Sequence, residues 1–166
     1  ARLLDEQFKS FVRGGANLSP EQKERFRKVN GELSALGIKF GDNLLHDTNS
    51  YRLVVENAAD LKGLPPSVVA AGADAAKAAG LAGKWVYTLQ APSIWPFLQY
   101  AEDRELRRQL FTAYTTKADH GGATDNNALA SRVAALRVEK ARLLGFATWA
   151  DLRYPRPVIS AVIAAA

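Results

Sequence analysis

The stretch SPEQKERFRKVNGELSALGIKFGDNLLH, residues 19–46, decides the fold of this chain. Ser19 and Gln22 have the spacing of a capping box, in which each side chain binds the other's backbone N–H, and Pro20 suits the first helical position. Five apolar residues then recur at alternating steps of three and four: Phe26, Val29, Leu33, Leu36 and Phe40. This spacing places one apolar seam along a helix about 40 Å long. Because such a seam must pack against other helices, the stretch predicts a helical framework.

Length and composition narrow the class of protein. The 166 residues suffice for one domain or a piece of a larger one, and the absence of Cys excludes disulfides and thiolate chemistry. The chain has no Met and begins at Ala1 in a helical pattern, so we expect an internal fragment. Neither a signal peptide nor an apolar run of about 18 residues is visible. We therefore expect no membrane partner and a cytoplasmic location, with the periplasm as the open alternative.

The charge balance permits a nucleic-acid interpretation but does not favour it. The chain has 22 basic and 17 acidic residues, a formal net charge of +5. Acidic and basic residues interleave along the predicted helices, as in Glu102-Asp103-Arg104-Glu105 before Arg107-Arg108. Since no basic patch with interleaved aromatic residues appears, we interpret the charges as a solvated surface and predict no nucleic-acid partner.

The residues before the long helix predict a second helix beside it. Ala1 to Arg13 is amphipathic, with five apolar residues on one face: Leu3, Leu4, Phe8, Phe11 and Val12. Gly14-Gly15 ends this helix, because glycine takes the left-handed position past a helix C-terminus without a Cβ penalty. The short connection predicts antiparallel packing of the two helices. Three glycines inside the long helix, Gly31, Gly37 and Gly41, indicate close helix approach or a local bend.

The middle of the chain predicts a small β ribbon. Residues 51–56 and 84–90 are rich in β-branched and aromatic residues and should pair antiparallel. Between them we expect a short helical turn at 57–61 and an alanine-rich helix at 64–79. The predicted fold class is therefore mainly α, with antiparallel helical hairpins and a bundle that carries one two-stranded β ribbon, about 51–56 with 84–90.

The C-terminal half predicts four more helices from their caps. Ser93 would cap the first, which places Pro96 in its first turn, and Asp103 would cap the next. That second helix should bury Leu106, Leu110, Phe111 and Tyr114. A third, capped by Thr124 or Asp125, should bury Leu129, Val133, Leu136, Leu143 and Leu144, and Thr148 should start a short fourth.

No group of residues predicts catalysis or metal binding by its spacing. His46 and His120 have no second histidine or glutamate at a metal-ligand interval, and we interpret them as surface or capping residues. Three serines lack the context of a nucleophile elbow: Ser67, Ser93 and Ser131. Four acidic residues are interpreted as solvated charges or caps: Glu56, Asp60, Glu102 and Asp103. The prediction is no catalytic and no metal-binding residue in this chain.

Five aromatic residues fall within sixteen positions of one another on the second strand and the turn after it: Trp85, Tyr87, Trp95, Phe97 and Tyr100. Core packing is the plain interpretation. The sharper one is that one or two of them line a groove for an extended peptide, with the strand edge supplying main-chain hydrogen bonds. The residues that would bind substrate stay undetermined by the sequence.

Several ordered stretches resemble a known family. These are Arg2-Leu3-Leu4-Asp5, Ala16-Asn17-Leu18-Ser19, the run from Ala75 to Gln90, Arg104-Glu105-Leu106-Arg107-Arg108 and Leu143-Leu144-Gly145. Together they resemble the thimet-oligopeptidase-like zinc metallopeptidases, the family of oligopeptidase A and dipeptidyl carboxypeptidase. The resemblance covers about residues 1–154.

The resemblance implies a mostly helical, two-lobed peptidase with a deep channel. The family's zinc is held by an H-E-x-x-H helix and a further glutamate, and its members cleave short peptides. That region would lie downstream of this segment, so none of those residues carries over. Residues 1–154 would form a helical channel wall that binds no zinc, with oligopeptide substrates and the remainder of the peptidase chain as partners.

The last residues depart from the family pattern. After Tyr154 the chain reads Pro155-Arg156-Pro157 and then an uncharged tail to Ala166, where the family would continue through a charged loop. Truncation, divergence or an uncertain sequence assignment would each account for residues 155–166.

Three functions follow from these observations. The first is a non-catalytic helical part of a zinc-dependent peptidase that hydrolyses short peptides, with release of C-terminal dipeptides expected. The alternative is a stand-alone helical protein-interaction module, and a weaker third is a basic nucleic-acid binder.

Overall fold

The computed structural model describes residues 2–154 and is mainly helical over that range. Its elements, in chain order, are α1 (Arg2–Arg13), α2 (Pro20–Ser50), β1 (Leu53–Val55), a 3-10 turn (Ala58–Leu61), α3 (Pro66–Ala78), β2 (Trp85–Tyr87), α4 (Ala91–Tyr100), α5 (Arg104–Thr115), α6 (Asn127–Leu143) and α7 (Trp149–Arg153). The predicted mainly α class with one small ribbon is confirmed. The predicted tail at 155–166 lies outside the described residues.

The chain divides into two compact units. Unit 1 comprises residues 1–40 and 127–166, and unit 2 comprises residues 41–126. Helix α2 begins in unit 1, and its last turns belong to unit 2.

Helix α2 starts as its capping box predicts and runs without interruption for 31 residues. The Gln22 N–H donates to Ser19 Oγ at 3.2 Å, and the Ser19 N–H donates to Gln22 Oε1 at 3.0 Å. The prediction of close helix approach at the glycines is wrong, because a Cβ added at Gly31, Gly37 or Gly41 would meet no atom within 4 Å. These glycines lie on open faces of a continuous helix.

The seam of α2 changes character along its length. Val29 is buried, and Leu33 and Leu36 are half-buried, as the apolar spacing predicts, but Phe40 is exposed. Continued at the same steps of three and four, the seam reaches Asn43 and Asp47, which are buried. The last turns of α2 therefore direct polar side chains toward the interior of unit 2.

In unit 1, α1 ends as predicted but does not pack as predicted. Gly15 has φ +92°, and the Ala16 N–H donates to the Phe11 carbonyl at 3.1 Å, which together form a Schellman-type cap. The expectation that the apolar face of α1 packs on α2 is wrong, because Leu3, Leu4, Phe8 and Phe11 are all exposed and α1 buries no residue.

Side chains of α6 join α2 within unit 1. The guanidinium of Arg132 binds both carboxylate oxygens of Glu32, at 2.6 and 2.8 Å. Arg25 makes the same bidentate pair with Glu139. Lys140 donates to Asn30 Oδ1 at 2.6 Å while its ammonium lies 5.1 Å from the centre of the Phe26 ring. Bidentate pairs fix the register of two helices more tightly than single ion pairs do.

Unit 2 is built on the predicted ribbon. β1 and β2 pair antiparallel with Leu53 opposite Tyr87 and Val55 opposite Trp85. One apolar core joins this ribbon to the helices after it, and its buried members are Leu53, Val55, Leu61, Leu64, Tyr87, Leu89, Ile94, Phe97, Ala101 and Leu110. The strands are shorter than predicted because the chain turns at once into helical segments on either side.

Two details of unit 2 correct the sequence prediction. Helix α4 begins at Ala91 with Gln90 at the cap, so Ser93 is not the N-cap and Pro96 lies inside the helix rather than in its first turn. Proline at that position forgoes the hydrogen bond to a carbonyl one turn earlier. In α5 the cap at Asp103 is confirmed, with the Leu106 N–H bound at 2.9 Å, but Phe111 is exposed instead of buried.

Two glycine substitutions should have opposite effects on stability. A Cβ at Gly72 in α3 would lie 2.8 Å from the Tyr87 ring, so Gly72→Ala should lower the free energy of unfolding by about 1–3 kcal/mol. Gly37→Ala, at an open site in α2, should raise it by roughly 0.5–1 kcal/mol through helix propensity. Urea denaturation of the two variants measures both. Equal effects of the two substitutions would contradict the close packing of α3 on Tyr87.

Candidate functional site

The buried carboxylate of Asp47 makes four polar contacts within unit 2. Its Oδ2 accepts the Ala118 N–H at 2.7 Å and lies 2.6 Å from His120 Nε2. Its Oδ1 accepts the Thr124 hydroxyl at 3.0 Å and lies 3.5 Å from His46 Nδ1. Both oxygens of this buried acid are therefore satisfied by partners from two parts of unit 2.

The hydrogen bonds set the protonation of this cluster. Burial alone would raise the pKa of Asp47, but the bonds from Ala118, His120, Thr124 and His46 outweigh it and lower the pKa to about 2. The same contact with Asp47 raises the pKa of His120. The pair thus favours an ionised carboxylate facing a protonated imidazole.

Asp47 fixes the start of a loop whose backbone is strained. Ala118 has φ +54°, a left-handed conformation that an alanine adopts only at a cost, and it is buried. The Asn126 N–H closes the loop by donating to the Ala118 carbonyl at 2.8 Å, and the Asn43 amide donates to Asn126 Oδ1 at 2.8 Å. Two polar residues from α2 therefore hold both ends of the loop at 118–126.

A cavity of about 490 Å³ lies beside this cluster. Its polar lining comes from two histidines, one carboxylate and several hydroxyls, supplied by His46, Asp47, Ser50, Tyr51, Thr116, His120 and Thr124. Chemically the cluster resembles an acid–histidine dyad, in which the acid orients the imidazole. Since three of the four Asp47 contacts come from the loop at 118–126, anchoring that loop is the role that the geometry supports directly.

Both histidines are exposed, as their interpretation as surface residues predicts. His46 is exposed and contacts Asp47 only at 3.5 Å, as a surface histidine would. His120 is more than a surface residue, because its imidazole reaches back to the end of α2. The signal was present in the sequence: Asn43 and Asp47 occupy seam positions of α2, where a buried polar residue needs a partner elsewhere in the chain.

A second cavity, of about 340 Å³, lies between α3, β2 and the start of α4. Small side chains of α3 form one wall, and Tyr87 with Thr88 and Ser93 form another. The Tyr87 hydroxyl is buried and has no hydrogen-bond partner among residues 2–154, and burial raises its pKa to about 12. Its ring packs on Phe97, with the ring centres 4.5 Å apart.

The aromatic cluster divides between core and surface. Tyr87 and Phe97 are fully buried, as the core interpretation predicts, and Trp85 is half-buried. Trp95 and Tyr100 are exposed, and Trp95 contacts Tyr114 edge to face with ring centres 5.1 Å apart. Of the five, these two exposed rings are the ones available to a peptide groove of the kind that the sequence allowed.

The other candidate side chains have structural partners. Ser93 Oγ accepts the Thr88 N–H at 2.9 Å, and Ser131 donates to the Asn127 carbonyl. Glu56 pairs with Lys84, and Glu102 with Lys62. Ser67 borders the second cavity, and Asp60 lies in the 3-10 turn. None of these contacts joins a nucleophile to a base.

Two kinds of feature are absent from the described part of the chain. Residues 2–154 contain no group of three or more His, Cys, Asp or Glu side chains placed to hold a metal ion. Within that same range, each helix is too short or too polar to cross a membrane.

The chain is similar in sequence to proteins named oligopeptidase A and dipeptidyl carboxypeptidase. It is 36% identical over 157 residues to a probable cytosolic oligopeptidase A of Arabidopsis thaliana, 34% identical over 153 residues to oligopeptidase A of Escherichia coli, and 36% identical over 149 residues to dipeptidyl carboxypeptidase of Salmonella typhimurium. These matches cover 91%, 90% and 90% of the chain but only 22% of each relative. No family model matches the chain. The chain therefore spans about a fifth of the length of the curated relatives it matches.

The Asp47 cluster should make stability depend on pH in acid. Because the folded pKa of Asp47 is below its ordinary value of 3.8, its stabilisation is complete above that value and is lost as the pH falls toward 2. The loss should be about 2 kcal/mol, and Asp47→Asn should remove this pH dependence. Urea denaturation between about pH 5 and pH 2 measures it. The matched control is Asp42→Asn, an exposed acid on the same helix, which should keep the dependence.

His120 should make the free energy of unfolding depend on pH in the opposite direction. Its pKa is raised in the folded state, so its stabilisation is present below the ordinary pKa of 6.5 and is lost as the pH rises through the folded value. His120→Gln should therefore flatten the fall in stability above pH 6.5, and it should also weaken the acid limb, because the His120 contact is one of the bonds that lower the pKa of Asp47. Urea denaturation across both limbs measures the change, and an unchanged profile would contradict the pairing.

Because the buried Tyr87 hydroxyl has no hydrogen-bond partner within residues 2–154, we expect the protein to tolerate its removal. Tyr87→Phe removes a buried donor without a partner in the described range, so the free energy of unfolding should stay equal or rise by up to about 1 kcal/mol. Tyr87→Leu loses the ring contact with Phe97 and should cost roughly 2 kcal/mol or more. When Tyr87→Leu is already present, Gly72→Ala should cost less than in the parent chain, which a double-mutant cycle measures.

Proposed function

The chain matches a segment of the thimet-oligopeptidase-like family of oligopeptidase A and dipeptidyl carboxypeptidase, and on that basis we propose that it is the non-catalytic helical part of a peptidase. The full-length form hydrolyses short peptides. The single observation that carries this proposal is an identity of 34–36% over about nine-tenths of the chain with relatives that bear those two names.

The finer activity is proposed as release of C-terminal dipeptides. The identities to oligopeptidase A and to dipeptidyl carboxypeptidase are similar, so the preference for dipeptide release rests on the sequence resemblance described above. The proposed substrates are short oligopeptides, and the proposed partner of this segment is the remainder of its own polypeptide.

Zinc belongs to the full-length protein in this proposal. Residues 2–154 do not fit a zinc site, because no three ligating side chains come together in that range. The ligands would therefore come from the polypeptide outside this segment, and no chemical step is assigned to residues of this chain. We place the full-length protein in the cytoplasm, with the periplasm as the alternative compartment.

The contribution of this segment is mechanical. The bidentate pairs between α2 and α6 stiffen unit 1, and the Asp47 cluster fixes the loop at 118–126 in unit 2. A channel wall for peptides needs rigid helices and fixed loops, since a bound peptide loses affinity when its site must be ordered first.

A stand-alone helical interaction module is the alternative, and one observation favours it. The apolar residues of α1 are exposed, which is typical of a surface that binds another protein. The two functions differ in what the gene encodes next. A downstream H-E-x-x-H motif in the same reading frame supports the peptidase, and its absence supports the module.

The activity prediction concerns this polypeptide and its full-length form. The 166-residue chain should bind no stoichiometric zinc and should not cleave an internally quenched peptide, because it supplies no ligand set in the described range. The full-length protein should bind one zinc and cleave the peptide, with loss of cleavage on chelation and recovery on added zinc. Elemental analysis and fluorescence measure the two properties.

A matched variant separates the roles of the two parts. In the full-length protein, His120→Gln should retain zinc and peptide cleavage, whereas Glu→Gln within the H-E-x-x-H motif should abolish cleavage. Turnover with bound zinc in the isolated 166-residue chain would contradict a non-catalytic role.

A further inference from the structure

Helix α1 is amphipathic and yet buries none of its side chains. Leu4, Phe8 and Phe11 follow steps of four and three, which places them on one stripe of the helix, with Leu3 beside it. These four residues, the α1 apolar face, are 62–76% exposed. Because these four large apolar side chains lie side by side along the helix, they form a contiguous patch. Such a patch differs from single apolar residues that are scattered over a surface.

Apart from its apolar face, α1 has its ion pairs and its C-terminal cap in place. Lys9 pairs with Asp5 at 2.5 Å and with Glu6 at 3.6 Å, and Gly15 closes the C-terminus in the left-handed conformation. A helix of 12 residues is nevertheless marginal in water by itself, and most helices of this length are stabilised by packing of their apolar face. The face therefore requires a cover.

The patch continues into a hollow at the turn between α1 and α2. A cavity of about 510 Å³ lies there, lined by Phe11, Gly15, Phe26 and neighbouring residues of unit 1. Side chains that entered this hollow would extend the contact beyond α1 itself. The face and the hollow together have the form of a docking surface for a side chain or a helix edge.

We propose that the α1 apolar face docks on an apolar surface of the same polypeptide that lies outside residues 1–166. The inference rests on the proposed function, and it is carried by the length of the relatives, of which this chain spans about a fifth. The remaining four-fifths supply the partner surface. The charges of α1 do not favour an anionic membrane, because Asp5 and Glu6 balance two of its three basic residues, Arg2, Lys9 and Arg13.

Hydrogen exchange of residues 2–13 tests the docking directly. It is measured by mass spectrometry in the 166-residue chain and in the full-length protein expressed from the same gene. Exchange in α1 should be at least about tenfold slower in the full-length protein, because docking buries several large apolar side chains. Phe8→Glu in the full-length protein should restore fast exchange in α1.

The matched control is Arg2→Gln, which lowers the net charge by the same single unit at an exposed residue of α1, about 120° around the helix from Phe8 and outside the hollow. It should leave exchange in the full-length protein slow. In the 166-residue chain neither variant should lower the midpoint of thermal unfolding, because both side chains are already exposed there.

Three results would overturn the proposal. The first is equal α1 exchange in both proteins, and the second is a gene that encodes no longer polypeptide. The third is self-association of the full-length protein, measured by light scattering, that Phe8→Glu abolishes; this would assign the face to a second copy.

Peptide cleavage by the full-length protein is assayed in parallel. Slow α1 exchange without zinc-dependent cleavage would retain the docking and refute the proposed function. Cleavage with unprotected α1 would refute the docking alone.

Discussion

Helix α2, 31 residues long, buries part of its seam in each unit, and it does so with different chemistry in the two units. Its first turns bury Val29 in unit 1, where an apolar side chain gains free energy simply by leaving water. Its last turns bury Asn43 and Asp47 in unit 2, where each polar atom must find a partner. The polar end therefore specifies its contacts more narrowly than the apolar end does.

Because of this difference, different interactions hold α2 against its neighbours in the two units. In unit 1, bidentate guanidinium–carboxylate pairs align α6 with α2. In unit 2, one carboxylate collects four contacts and holds a loop whose first residue, Ala118, is strained. The free energy of ionising Asp47 in a hydrogen-bonded site helps to offset the cost of that backbone conformation.

The chain spans about a fifth of the length of the relatives that it matches. A segment that matches over about nine-tenths of its own length but only a fifth of its relatives' length is an incomplete view of their fold. The exposed face of α1 is what such a segment would show if its covering surface lay elsewhere in the polypeptide, because an apolar face is stabilised only once another surface removes it from water.

Local signals in the sequence determined the elements. The Ser19–Gln22 box, the Asp103 cap and the helix start at Thr148 all form as predicted, because each depends only on residues within one turn. The ribbon also forms, with the predicted antiparallel pairing, where β-branched and aromatic residues cluster.

Tertiary structure decided what those elements contact. From the sequence, the apolar face of α1 could not be told from a face that packs inside the chain. An amphipathic pattern indicates that a helix has an apolar face, but it does not indicate which surface covers that face. The glycines of α2 could not be assigned to close approach or to open space without knowing which neighbours they face. The partnership of Asp47 with His120 spans 73 positions, and only the folding of unit 2 brings that acid and that imidazole within 2.6 Å.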